Sequence, residues 1–193
     1  AFQNHSEITD IIVVIHKEWI AELMTWINRL GITKIKKIVE GGNERQDSVR
    51  NGLDVITSLS PRGGDIVLVH NAANPLITNE LISECIRAAQ QNQASVAAYR
   101  IKDTIKRVQT DGKIVETLNR AELWGMQTPQ CVEYELFIRA HEKATNEGFY
   151  GTDDVQLVER LKIQPLVVDC GYENIKITTH EDLSIAEKIL QKR

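Results

Sequence analysis

Apolar positions along the first hundred residues fall into two kinds of run, and the two kinds take turns. "DIIVVI" (10–15) and "DIVLVH" (65–70) are nearly continuous apolar stretches rich in Val and Ile, and "IKKIVE" (35–40) lies between them. Such runs read as strands. Ile20, Leu23, Met24, Ile27 and Leu30 recur at helical spacing in "KEWIAELMTWINRLG", which stops at Gly31. Val49, Leu53 and Ile56 repeat that pattern in "DSVRNGLDVITSL" (47–59), and the helical "NELISECIRAAQ" precedes the strand "SVAAYRI". Strands without alternation are buried on both faces. The pattern therefore predicts an α/β fold, a Rossmann-like and mostly parallel sheet covered by helices.

That rhythm breaks at "DTIKRVQTDGKIVETLNR" (103–120). Ile105, Arg107 and Gln109 alternate in side with Lys106 and Val108, and Asp111-Gly112 is a strong turn signal before Lys113 to Leu118. A hairpin is predicted. Two strands alone are marginal in water, so it lies either on a second subunit or along the edge of its own sheet. Further on, the pattern gives a helix near 133–146, another starting at Thr152, strands "PLVV" and "NIKIT", and a closing helix capped by Thr179 with Asp182 three residues later. In "WGMQTPQ" the proline cannot extend a central strand, which places Thr128 at a strand end with a free hydroxyl.

Composition narrows the possible partners. The 193 residues are 42% hydrophobic, enough for one sizeable core and short for two, so one domain over 1–193 is expected. A formal net charge of −4 gives no general attraction to nucleic acid or anionic membrane. A phosphorylated substrate needs a local basic pocket. No apolar run approaches the ~18 residues of a membrane span, and "AFQNHSEITD" lacks the regions of a signal peptide, so a cytoplasmic location is expected. Cys85, Cys131 and Cys170 are widely spaced without a CxxC pair, and read as small core residues.

Candidate chemistry gathers at predicted strand ends. "EGGNERQDSV" (40–49) follows a strand and opens a helix, an arrangement that brings backbone N–H groups toward an anion or simply makes a turn. "VLVHNAANPLIT" (67–78) runs from a buried strand into a loop at its carboxyl end, where ligands bind in open α/β sheets. In "GTDDVQLVE", Thr152 is read as an N-cap with Asp153 and Asp154 complementing the helix dipole. Lys176, in the otherwise apolar "NIKIT", needs an anionic partner if it faces the sheet edge. His16, His70, His141 and His180 share no ligand spacing and read as polar surface or capping.

Taken in order, "GGNERQDSVRNGL", "VLVHNAANPLIT", "DTIKRV", "LWGMQTPQ", "TDDVQLVE" and "NIKITTHEDLSIAEKIL" resemble the 2-C-methyl-D-erythritol 4-phosphate cytidylyltransferase family over nearly the whole chain. The related ribitol 5-phosphate cytidylyltransferases share much of the pattern, but Ala72-Ala73 and "ERQDSV" sit closer to the methylerythritol branch. The resemblance implies a fold of the nucleotide-diphospho-sugar transferase type. It implies a reaction that joins CTP to a sugar-alcohol phosphate, with Mg²⁺ assistance and release of pyrophosphate. It places Gly42, Asn43, Ser48, Ala72 and Asn74 at the CTP. Thr104, Arg120, Thr128, Thr152 and Lys176 then cradle the acceptor phosphate, with Lys176 and Arg120 as the catalytic cations. The 103–120 arm is expected to cross to the neighbouring subunit of a homodimer.

Three features depart from the family pattern. Its loop motif starts with Asp and has Arg three residues later, where this chain has Asn71 and Asn74. Asn71 therefore stands at a metal-ligand position and offers only a neutral oxygen, so weaker Mg²⁺ binding is expected. Glu173 either supplies a compensating carboxylate or is an exposed turn residue. The family also begins with a strand and a Gly-rich basic loop around the triphosphate, so this sequence enters the pattern about one βα unit late, as a fragment does. Beside the methylerythritol reading stand ribitol 5-phosphate as acceptor and a catalytically weakened nucleotide-binding paralogue, which the two asparagines favour.

Overall fold

A computed structural model describes residues Ala1–Arg193. β1 (Ile11–Ile15) pairs in parallel with β2 (Ile35–Glu40). A four-stranded sheet runs in the order β3 (Ile66–Val69), β7 (Trp124–Glu133), β4 (Ala94–Arg100), β8 (Leu166–Asp169). β4 and β8 are parallel, and β7 is antiparallel to both β3 and β4. The sheet is mostly parallel, as predicted, with β7 as the exception. Its direction follows from its connection: the chain leaves β4 into the arm and returns beside it, tied at the base by Ile101 N–H to Leu123 O at 3.2 Å. A strand reached by such a return pairs antiparallel.

Helices α2 (Arg45–Ser58), α4 (Tyr134–Asn146) and α5 (Asp154–Glu159) cover one face, with Leu53, Leu136, Phe137, Leu157 and Val158 packed on Val132. On the other face, α3 (Asn79–Asn92) sets Leu81, Ile82, Cys85 and Ile86 against Ala97 and Cys131. Neighbouring residues of β7 thus point to opposite cores, as the pleat requires. Cys85 and Cys131 are fully buried, as predicted, whereas Cys170 is only half-buried at the edge of the same cluster. The apolar stripe of α1 (Ile20–Leu30) forms its helix and ends on left-handed Gly31, yet none of its residues is buried. Ile20, Leu23 and Ile27 are half-buried, while Met24 and Leu30 stay exposed.

The hairpin is present as β5 (Lys106–Val108) and β6 (Ile114–Thr117), turning through Gly112 at φ +85°. Every residue of both strands is exposed. α6 (His180–Lys192) carries the predicted capping box between Thr179 and Asp182. Three expectations change. Pro129 does not end its strand: β3 pairs only as far as Gln130, and β4 bulges between Val96 and Ala98 where β7 passes from Gln130 to Met126. The proline sits where neither neighbour needs its missing N–H. "NIKIT" forms no ladder, and its Ile177 N–H donates instead to Ala73 O at 2.7 Å. Finally, the N-cap of α5 is Asp153, whose carboxylate accepts from Gln156 N–H, rather than Thr152.

Candidate active site

A cavity of about 440 Å³ opens between β1 and β3. Ile12 and Val14 of β1, Val49, Leu53 and Ile56 of α2, and Val67 and Val69 of β3 make its apolar walls. Arg45, Ser48, His70, Asn71, Ala72, Ala73 and Lys176 make its polar rim. The structure therefore brings the first turn of α2, the loop after β3 and Lys176 to one place, while Gly42 and Asn43 in the loop after β2 do not line the cavity.

The first loop is held by its own side chains. Gly42 N–H donates to Ser48 Oγ at 3.0 Å, and the Ser48 hydroxyl donates to Glu44 O at 3.2 Å. Glu44 and Asp47 form a reciprocal capping box at the start of α2. A Cβ on Gly42 would lie 2.3 Å from Cβ of Asp47, so only glycine lets the loop lie this close to the helix. Asn43 is exposed beside it.

The second loop is organised by His70. Its Nε2 lies 2.9 Å from the Asn74 carbonyl, which can only accept, so Nε2 carries the proton and Nδ1 accepts. The Thr128 hydroxyl, 3.0 Å from Nδ1, donates to it, while Asn71 N–H donates to the same hydroxyl oxygen at 3.2 Å. Burial pulls the His70 pKa down, partly offset by its bond to the Asn74 carbonyl, which keeps the ring in this neutral form. Thr128 is only 3% exposed, so the free hydroxyl expected there is already committed. Asn74 is also turned inward. It is fully buried and donates to Gln127 Oε1 at 2.9 Å and Asn174 O at 3.1 Å, which leaves no amide proton for a nucleotide.

Asn174 in turn donates to Thr128 O at 2.8 Å. With the Ile177 N–H to Ala73 O bond, this clips residues 174–177 onto the loop and puts Lys176 at the cleft. Lys176 is exposed at the cleft and forms no ion pair within 4.0 Å, so its charge is met by water and stays open to a ligand rather than demanding a partner within the chain. Glu173 pairs with Arg193 at 3.3 Å and does not reach toward the cleft.

A third segment meets the first. Arg45 makes a two-pronged contact with Asp154, Nη1 to Oδ1 at 2.9 Å and Nη2 to Oδ2 at 2.5 Å. Burial pushes the Asp154 carboxyl up, against the pull of the Arg45 guanidinium. Asp154 lies in the first turn of α5, as expected, but at 1% exposure it is also the buried partner of Arg45 rather than a surface charge. Thr152 lies just before it, exposed, with its N–H and hydroxyl both directed to Gln156 Oε1. Thr104 and Arg120 do not join the cleft: both are exposed at the base of the arm, where Arg120 Nη1 donates to Lys102 O at 2.8 Å.

The residues present do not make a metal centre. No group of three or more His, Cys, Asp or Glu side chains is placed to hold an ion, and Asn71 brings a neutral amide that leans on Asn74 Oδ1 at 3.4 Å. Sequence reading missed His70, Arg45 and Asn174. His70 had a usable signal in its place at the end of a buried strand, while the Arg45 partner lies 109 residues away.

Comparison with known proteins settles the family. The sequence model described as IspD, 2-C-methyl-D-erythritol 4-phosphate cytidylyltransferase, matches residues 1–192. The chain belongs to this family. The cytidylyltransferase of Halalkalibacterium halodurans is 42% identical over 192 residues, spanning the whole chain and 82% of that protein. That of Caldanaerobacter subterraneus is 48% identical over 156 residues, 81% of this chain and 67% of its own. Among solved structures, the 4-diphosphocytidyl-2C-methyl-D-erythritol synthase of Anaerococcus prevotii superposes with a TM-score of 0.85 at 33% identity, covering 97% of this chain and 81% of that one. The Francisella tularensis IspD gives 0.81 at 31% identity, covering 97% and 83%. The IspD fold is thus the predicted one, mixed α/β with helices around a mostly parallel sheet. No helix is long and apolar enough to cross a membrane.

Proposed function

We infer that this chain transfers a cytidylyl group from CTP to 2-C-methyl-D-erythritol 4-phosphate and releases pyrophosphate. The observation that carries this reading is the convergence of Ser48, Ala72, Arg45 and Lys176 on one cleft in a chain of the IspD family. A phosphate oxygen of the acceptor attacks the α-phosphorus of CTP, a new P–O bond forms, and the bond to the bridging oxygen of pyrophosphate breaks. Because the nucleophile is already an anion, no general base is needed. The protein's task is to align two polyanions and offset their repulsion, which fixed cations accomplish. Lys176, without an acidic partner, is the cation for the reacting phosphates. Gly42, Asn43, Ser48 and Ala72 hold the nucleoside, and Thr152 meets the acceptor phosphate. Thr128 acts indirectly, by fixing Asn71 and His70.

Mg²⁺ enters this reading as a counter-ion of the triphosphate. The cleft lining offers it no carboxylate, and Asn71 would give only a neutral amide oxygen, so the ion would be held weakly by the chain and would serve to offset substrate charge. Residues 1–193 act as one nucleotidyltransferase unit in the cytoplasm. The arm is its dimer contact: Val108, Ile114 and Val115 are each more than half exposed and need an apolar partner. Crossing to a second copy buries them and carries Thr104 and Arg120 to that copy's acceptor phosphate. A pyrophosphate-release assay tests the activity. Turnover is expected with methylerythritol phosphate; turnover with ribitol 5-phosphate alone would replace the acceptor, and turnover with neither would overturn the reading.

A further inference from the structure

The first turn of α2 sends two consecutive side chains away from the nucleotide loop into a distant segment. Arg45 grips Asp154 with both terminal nitrogens. Gln46 brackets the same stretch from its other end: its Nε2 donates to Phe149 O at 3.1 Å, and its Oε1 accepts from Gly151 N–H at 2.9 Å. The two residues therefore span 149–154, with Thr152 between their contact points.

This junction is built to be stiff. A two-pronged guanidinium–carboxylate contact fixes orientation as well as distance. Asp154 is almost wholly buried and Gln130 Oε1 holds its N–H at 2.9 Å, so water cannot take over from Arg45. Arg45 nevertheless lines the cleft, and two of its five N–H donors are committed to Asp154, which leaves three toward solvent and ligand. The start of α2, which follows the 41–44 loop directly, is thus tied to residues 149–154 at both ends of that segment.

We propose that Arg45 and Gln46 are positioning residues that couple the two halves of the site, so that nucleotide bound at the 41–48 loop orders the acceptor-facing segment around Thr152. This rests on the assignment of CTP and a sugar-alcohol phosphate to the cleft. Coupling of this kind makes each ligand tighten the other by the same factor. Two rigid bodies that merely share a core would give a factor of one.

Direct binding tests it on the full chain. Calorimetry would give the dissociation constant of methylerythritol phosphate with and without a non-hydrolysable CTP analogue. The unmutated protein is expected to bind acceptor about five- to tenfold more tightly with the analogue present. Gln46→Ala and Arg45→Lys are expected to bring that factor close to one while circular dichroism stays native. Gln46→Ala removes no charge and keeps the test alive if Arg45→Lys fails to fold. A factor unchanged in folded variants overturns the proposal, as does a factor of one in the unmutated protein. Failure to bind either ligand would instead strike at the functional assignment itself.

Discussion

Asn74 spends both protons of its side-chain amide inside the protein, one on Gln127 Oε1 at 2.9 Å and one on the backbone carbonyl of Asn174 at 3.1 Å. This pair joins the loop after β3 to the segment carrying Lys176, and it sits where the family motif has arginine. Removing the amide leaves the buried Asn174 carbonyl and the half-buried Gln127 Oε1 without their donor. Asn74→Ala should cost about 1–3 kcal/mol, the usual consequence of leaving buried polar groups without partners. Urea unfolding would show it as a lower midpoint at unchanged slope. Asn74→Arg should not gain activity, because the position is fully buried and a guanidinium has no room there. A stable, faster Asn74→Arg variant would show that residues 174–177 lift away from the loop during turnover.

Position 71 behaves differently, because Asn71 is only partly buried and its side chain faces the oxygen of Asn74. Asn71→Asp would set a carboxylate against that oxygen, an arrangement that a bridging cation relieves. Apparent Mg²⁺ affinity should rise by at least several-fold, since ligand charge tunes such sites strongly. Activity titrated against Mg²⁺ checks this. No change places residue 71 outside the ion's surroundings.

The elements were legible from the sequence wherever one local rule sufficed. Apolar runs gave β1, β3 and β4, and the spacing of Thr179 and Asp182 gave the cap of α6. Relationships across the chain were not legible. "NIKIT" has strand composition, yet no strand edge is available beside Ala73 for more than one bond, so only tertiary contact decides its form. Asp153 and Asp154 look equivalent in sequence; one caps α5 and the other meets Arg45. His141 was readable and missed. Leu136, Phe137, Ala140 and Ala144 surround it at helical spacing, which puts it on the buried stripe of α4 rather than on the surface.

That burial makes His141 a source of acid sensitivity. It is 1% exposed, its ring meets Phe137 edge-on with centroids 4.8 Å apart, and its Nε2 has no partner. Burial, aided by Arg50 and opposed by Asp54, pulls its pKa down to about 4 from the ordinary 6.5. The unfolded chain therefore takes up a proton between these values that the folded chain refuses. Stability from this residue is full above pH 6.5 and falls as pH drops toward 4, by up to about 3 kcal/mol. His141→Leu should flatten unfolding free energy against pH in that window. An identical slope in both proteins would assign the acid sensitivity to other groups.

The arm gives the test of assembly. Its apolar residues Val108 and Ile114 are 51% and 64% exposed, and Arg120 at its base does not line the cleft that holds Lys176. If the arm reaches a second copy, each acceptor site takes Lys176 from one chain and Arg120 from the other. Arg120→Ala and Lys176→Ala chains, each nearly inactive alone, should then complement when mixed and allowed to exchange. Because the two sites of the dimer are related by the two-fold of the unmutated interface, a mixed dimer has one site lacking both groups and one site retaining both. Random exchange makes about half of the dimers mixed, so recovery near one quarter of the unmutated rate is expected. Native mass spectrometry of the mixture must show the heterodimer for the result to count. With heterodimers present and activity still at the level of the single variants, Arg120 serves its own subunit and the arm only holds the dimer together.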